Sequence, residues 1–253
     1  MKIGLVQYNP IWESKEKNKK KLTGLIERDF QKSSLLIFPE MTLTGFTMMP
    51  EKFSEPLKGE SFKYFSDIAK KHKIFIAAGI IENDKGNYFN SLILLNSEGE
   101  LISNYRKIHP FSYTTEDEHY KRGEEIKISE IDGLKIGLSI CYDLRFPELY
   151  RFYAKERVHL IVVIANWPDT RIEHWRTLLK SRAIENQCYV AGVNRVGDDP
   201  ELHYTGFSSI YDPMGNEIIS LENEERIIYA DINKDDVSKI RENLPFLDDI
   251  NLI

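Results

Sequence analysis

Cysteine is scarce in this 253-residue chain, which holds only Cys141 and Cys188, far apart in sequence. No Cys-x-x-Cys occurs, so spacing indicates neither a zinc knuckle nor a dithiol redox pair. Two distant thiols fit free cysteines in a reducing compartment better than a disulfide framework. Long apolar runs are missing too. Nothing approaches the roughly 18–20 consecutive apolar residues that span a bilayer. The opening residues, Met-Lys-Ile-Gly-Leu-Val-Gln-Tyr, turn polar too soon for an export signal, so the expected location is cytoplasmic. Positive charge is not in excess. The formal net charge of −6 disfavours nucleic acid or an anionic membrane as principal partner. The lysines 15, 17, 19, 20 and 21 are diluted by Glu13, Glu16 and Glu27 and lack interleaved aromatics, so they read as a solvated helix face. The histidines at 72, 109, 119, 159, 174 and 203 form no pair three or four apart. Phosphate loops, Gly-x-Gly-x-x-Gly and Gly-x-Ser-x-Gly are likewise missing.

Apolar residues make up 42% of the chain, enough for a substantial core. No repeat or low-complexity linker divides it, so a single domain over 1–253 is expected. Strand and helix patterns alternate. Strands are predicted at Lys2–Tyr8, Leu35–Phe38, Ile74–Ile81, Leu134–Ile140, Leu160–Ala165 and Tyr189–Val193. Helices are predicted over Glu13–Phe30, Ser61–Lys71, Pro147 to about Glu156, and Glu173–Gln187. Tyr88–Leu95 and Leu101–Arg106 read as a hairpin around Ser97-Glu98-Gly99. Phe207–Tyr211 and Arg226–Ala230 are strands on either side of the turn Asp212-Pro213-Met214-Gly215. This alternation is α/β, with helices on the sheet faces.

Three residues stand at the ends of predicted strands, where α/β proteins keep their sites. Cys141 follows Leu134–Ile140 and precedes a helix start, a setting that can lower a thiol pKa. Glu40 follows Leu35-Leu36-Ile37-Phe38-Pro39, and Lys107 closes Leu101–Arg106. Taken singly, the bland reading is stronger for each: a buried cysteine acting as a small hydrophobe, a loop glutamate, a solvated lysine. Cys188 receives that bland reading. Together the three supply a nucleophile, a base and a cation, which is what amide hydrolysis needs.

The blocks Phe38-Pro39-Glu40, Tyr105-Arg106-Lys107-Ile108-His109, Cys141-Tyr142-Asp143-Leu144-Arg145-Phe146-Pro147-Glu148 and Ser181-Arg182-Ala183-Ile184-Glu185-Asn186-Gln187 resemble, in order, the nitrilase superfamily of carbon–nitrogen hydrolases. The resemblance runs from Met1 to about Arg241. It implies a four-layer α-β-β-α sandwich, a Glu40–Lys107–Cys141 catalytic set, no metal, no organic cofactor, and homodimers or larger homo-oligomers that stack their sheets. It also implies a second glutamate seven residues before a glycine. Glu116 stands seven before Gly123, with Glu118 as the close alternative.

Within that superfamily, Gly45-Phe46-Thr47-Met48, the Cys141 block and Ala165-Asn166-Trp167-Pro168 look like the omega-amidase branch. The implied activity is hydrolysis of the terminal amide of 2-oxoglutaramate and 2-oxosuccinamate. Another small-molecule amidase, an N-carbamoyl amino acid hydrolase, or a catalytically silent binding protein on the same fold are the alternatives. The carboxylate at the far end of the substrate is expected on Arg145, against the alternative that Arg145 only braces its loop through Glu148 or Asp143. Phe46, Met48 and Trp167 are the expected apolar walls, and the Tyr142 amide a second oxyanion donor. Arg182 falls on the helical stripe of Trp175, Leu178 and Leu179 and is expected to form a buried structural ion pair, with Glu148 as the candidate partner, against the alternative of a substrate contact. The apolar tail, about 242–253, is expected to dock on a partner subunit.

Overall fold

Apolar residues on alternating strand positions have to be covered on both sides here, and that requirement organises the molecule. The computed structural model describes residues 1–251. In chain order its main elements are β1 (Lys2–Gln7), α1 (Lys15–Asp29), β2 (Leu35–Ile37), α2 (Pro50–Phe53), α3 (Glu60–His72), β3 (Phe75–Asp84), β4 (Asn87–Leu95) and β5 (Leu101–Arg106). There follow α4 (Glu116–His119), β6 (Ile128–Ile131), β7 (Leu134–Ile140), α5 (Pro147–Lys155), β8 (Leu160–Ile164) and α6 (Ile172–Asn186). The chain continues through β9 (Tyr189–Val193), β10 (Val196–Asp198), β11 (His203–Tyr211), β12 (Glu217–Glu222), β13 (Arg226–Asp231) and α7 (Lys234–Asn243).

One sheet runs β13-β1-β2-β3-β4-β5. The other runs β10-β11-β9-β8-β7-β6, with β12 paired to β11. The two sheets face each other across Ile3, Leu5, Ile37, Ala77, Leu92, Ile136, Leu138, Val162, Ile164 and Val193. The alternate residues Val6, Leu36, Ile76 and Ala78 turn outward onto Leu22, Ile26, Phe65 and Ile68 of α1 and α3. On the second sheet Ile161, Val163 and Val190 pack against Leu149, Tyr153, Trp175, Leu179 and Ala183 of α5 and α6. The result is the four-layer α-β-β-α sandwich. Each fully buried Leu, Ile, Val or Phe in these layers contributes about 1.5–3 kcal/mol.

One expectation changes. Arg226–Asp231 does not complete a hairpin with β11; it pairs antiparallel with β1 in the other sheet. The strand across the turn from β11 is β12, whose alternating Ile219 and Leu221 pack against the inter-sheet core. The tail folds back on its own chain: Gln187 Nε2 donates to Leu244 O (2.8 Å), Arg157 pairs with Asp248, and Leu247 is buried while Phe246 stays exposed. Leu252 and Ile253 of the expected docking tail lie outside the described residues. Among the described residues, no helix is long and apolar enough to cross a membrane.

Candidate active site

Strands β2, β7 and β8 are each followed within three residues by a functional side chain, and hydrogen bonds between Glu40 and Asn166 bring the ends of β2 and β8 together across the two sheets. After Ile140, extended at φ −130°, Cys141 turns to φ +48° and opens a one-turn 3-10 helix, Cys141–Arg145. A side-chain-bearing residue in the left-handed region is strained, and strain of this kind persists only when its surroundings enforce it. Asp143 does so. Its buried carboxylate accepts from Ile140 N (3.0 Å), Tyr105 OH (2.7 Å) and His109 N (2.9 Å), and His109 Nδ1 lies 2.8 Å away. The His109 ring stacks on Phe146 at 3.8 Å. Arg182 braces the same turn by donating to Leu144 O (2.7 Å).

Glu40, Lys107 and Glu116 are buried together, each no more than 1% exposed. Lys107 Nζ donates to Glu40 Oε1 (3.0 Å) and to Glu116 Oε2 (2.8 Å). Glu40 Oε2 accepts from Asn166 N (2.8 Å), and Asn166 Nδ2 donates to the Glu40 carbonyl (2.8 Å). Glu116 also accepts from Phe111 N (2.6 Å), which ties the loop after Lys107 to the cluster. Gly79 makes the Glu40 turn possible: a Cβ there would stand 2.7 Å from Glu40 Cα. Burial pulls the Lys107 ammonium down, but Glu116 and Glu40 outweigh it and hold the group firmly charged. Burial and then Glu40 push Glu116 up, against the pull of Lys107.

The Cys141 thiol is driven well above its usual value, first by burial and next by Glu40, with Lys107 only partly opposing. The lowered thiol pKa expected from its place before a helix is therefore not found. The turn it opens is a short 3-10 segment, and burial together with Glu40 outweighs the pull of Lys107. With its pKa raised, the thiol needs a base at the moment of attack.

Cys141 lines a cleft of about 430 Å³, part of it open to solvent, with Phe46, Tyr142, Arg145, Trp167, Arg171 and Tyr204 among its walls. The Arg145 guanidinium lies over the Trp167 ring (4.8 Å) and donates to His174 Nδ1 (3.2 Å). Burial and then the like charge of Arg171 lower its pKa. Neither arginine pairs with a carboxylate among the described residues; Arg171 lies over the Phe111 ring.

The carbon-nitrogen hydrolase family model matches residues 2–242. The chain belongs to the carbon–nitrogen hydrolase family. Its relatives include a 2-oxoglutaramate amidase of Bacillus subtilis, 33% identical over 98% of this chain and 96% of that protein. An omega-amidase YafV of Yersinia enterocolitica is 33% identical with the same coverage of both chains, 98% and 96%. Among solved structures, a CN-hydrolase superfamily protein of Xanthomonas campestris, described with an arsenic adduct in its active site, superposes with TM-score 0.95 at 31% identity. It covers 100% of this chain and 98% of that one.

In this carbon–nitrogen hydrolase the expected set of Glu40, Lys107, Cys141 and Glu116 meets at one place. Glu116, and not the exposed Glu118, contacts Lys107. Tyr142, Arg145, Trp167 and Phe46 line the cleft. Met48 does not: it packs behind Phe46 with Met41, Phe53, Ile81 and Tyr120. Arg182 is buried as expected, but its carboxylate partner is Glu185 (2.8 Å), one helical turn on, because Glu148 faces solvent. Arg145 braces neither through Glu148 nor through Asp143, whose carboxylate is engaged within the turn. His174, which the sequence does not single out, is the neighbour of Arg145. Both cysteines are free, and Cys188 is buried between helix and sheet. Sequence reasoning missed Asn166, Asn90, Asp143 and Arg171. The strand-end rule that found Glu40 and Cys141 would have found Asn166, two residues past β8. Asn90 lies within β4 and carries no comparable signal.

Proposed function

We propose that this chain is an omega-amidase, hydrolysing the terminal amide of small 2-oxo acid monoamides such as 2-oxoglutaramate and 2-oxosuccinamate to the dicarboxylate and ammonia. The observation that carries this reading is the pair Arg145 and Arg171, set in the wall of the Cys141 cleft without a carboxylate partner among the described residues. Two unpaired guanidiniums beside an apolar Trp167 and Phe46 wall suit a short carbon chain ending in a carboxylate, which meets an arginine through two parallel hydrogen bonds. The 2-oxoglutaramate amidase of Bacillus and the omega-amidase of Yersinia to which the chain is similar support the same choice.

In this reading Glu40 takes the Cys141 proton as sulfur attacks the amide carbon. Lys107 and the Tyr142 amide stabilise the tetrahedral oxyanion. The C–N bond then breaks, and Glu40 returns its proton to the leaving ammonia. A water deprotonated by Glu40 cleaves the thioester, releasing the acid and restoring the thiol. Glu116 holds Lys107 and, through Phe111, the cleft wall. No step calls for a metal or an organic cofactor.

The enzyme is read as a cytoplasmic homodimer or larger homo-oligomer. Two free cysteines support the compartment. Half-exposed Phe152 and Ile184 on the neighbouring helices α5 and α6 support the assembly, and exposed Phe246 supports a partner contact by the tail. An ammonia-release screen over 2-oxoglutaramate, an N-carbamoyl amino acid and a neutral amide tests the activity. Highest kcat/KM on 2-oxoglutaramate is expected; a preference for the N-carbamoyl compound or the neutral amide would overturn the substrate assignment.

A further inference from the structure

We propose that Asn90 is a positioning residue that holds Glu40 and Glu116 as a carboxylate pair around Lys107. This role rests on Glu40 being the base, as read above. The Asn90 side chain is 1% exposed and spends both amide hydrogens on the acids: Nδ2 donates to Glu40 Oε1 (2.7 Å) and to Glu116 Oε1 (2.9 Å). Its own carbonyl accepts Lys107 N (2.9 Å), continuing the β4–β5 ladder one residue past Arg106. One residue therefore joins all three charged partners.

Its chemistry matches what the cluster lacks. Two carboxylates share the one ammonium of Lys107. Lys107 cannot supply every hydrogen bond the four carboxylate oxygens accept. A neutral amide adds two donors without adding charge, which favours the ionised form of both acids. Asn90 Oδ1 is buried with no partner. An orphaned buried acceptor is a cost, and the two acids fix the amide this way round, since turning it over would aim oxygen at oxygen. Asn90 is thus better suited to ionising the pair than to stabilising the fold. The other titratable groups facing the pair are Cys141, from the turn after β7, and Tyr120, from the end of α4, whose hydroxyl is itself pushed up chiefly by burial.

The test is the pH dependence of kcat/KM, alongside thermal unfolding, for Asn90→Ala, Asn90→Asp and Glu40→Gln, on the best amide of the ammonia-release screen. Asn90→Ala should lower kcat/KM about ten-fold or more, the loss of charge-assisted hydrogen bonds in a buried site. Loss of donors raises carboxylate pKa values, so the acid limb should move up by about one pH unit. Asn90→Asp, nearly equal in volume, should move it further by adding a third carboxylate. Melting should change little in Asn90→Ala, because the orphaned oxygen leaves with the donors. A wild-type pH profile in both Asn90 variants with Glu40→Gln inactive would overturn the role, and so would a large melting loss at unchanged pH dependence. Full turnover in Glu40→Gln would instead remove the base assignment beneath it.

Discussion

Cys141 is held at positive φ by the hydrogen bonds Asp143 makes back to Ile140 and across to His109 and Tyr105. That strain is intelligible if the thiol has to project from the strand end into the cleft. Cys141→Ser should lose several orders of magnitude in turnover, as removal of other covalent nucleophiles does. Cys188→Ala, between helix and sheet, should keep its turnover. Burial and Glu40 keep the thiol protonated, so alkylation by iodoacetamide should still be accelerating above pH ~8.5, where an ordinary thiol is half ionised. Labelling of Cys188 with Cys141 spared while activity dies would refute the assignment. Around that thiol, Glu40→Gln should keep the fold and stop the chemistry. Lys107→Arg should not rescue activity, because a planar fork does not fit where a compact ammonium bridges two carboxylates. Wild-type turnover in either variant would exclude the role given to that residue.

At the scale of elements, Arg182 links α6 to the nucleophile turn through Leu144 O, and Glu185 balances its charge. Arg182→Leu leaves Glu185 half-buried and the turn without its brace. A loss of about 3 kcal/mol is expected, as for other broken buried pairs, which in a chain of this size corresponds to roughly 6–12 °C in Tm. KM should rise less than proportionately; a stable variant with selectively weakened substrate binding would assign Arg182 to the substrate instead. The same elements show what a sequence can convey. The strands whose residues are apolar on both faces, such as Leu35–Ile37 and Leu160–Ile164, were legible because burial on both sides leaves a continuous apolar run. Glu217–Glu222 was not, since none of its six positions is fully buried: three are half-buried and three exposed. The partner of Arg226–Asp231 was a matter of long-range pairing with β1, which no local pattern encodes. Strand-end residues announced the site. Asn90, inside a strand, and Arg171, in a short 3-10 turn, did not, because their roles arise only when separate elements meet.

For the whole molecule, the closed sandwich leaves its outer helical layer as the surface for self-association. Phe152 on α5 and Ile184 on α6 are each close to half exposed, at 48% and 47%, on adjacent helices. Sedimentation of the wild-type enzyme should give a dimer or larger assembly, and Phe152→Asp with Ile184→Asp should shift it toward monomer. A wild-type monomer at micromolar concentration would contradict the oligomer reading and leave the site chemistry intact. The claim on which the rest depends is that Cys141 attacks an amide whose far end carries a carboxylate held by Arg145. The most direct measurement is kcat/KM for ammonia release from 2-oxoglutaramate and from a neutral amide of equal length, in wild type and in Arg145→Met. The wild type should prefer the charged amide. The variant should lose about 2–5 kcal/mol of transition-state binding on it, as for a truncated buried charge pair, while the neutral amide is barely affected. Equal losses on both amides, or a wild type that prefers the neutral one, would contradict the account.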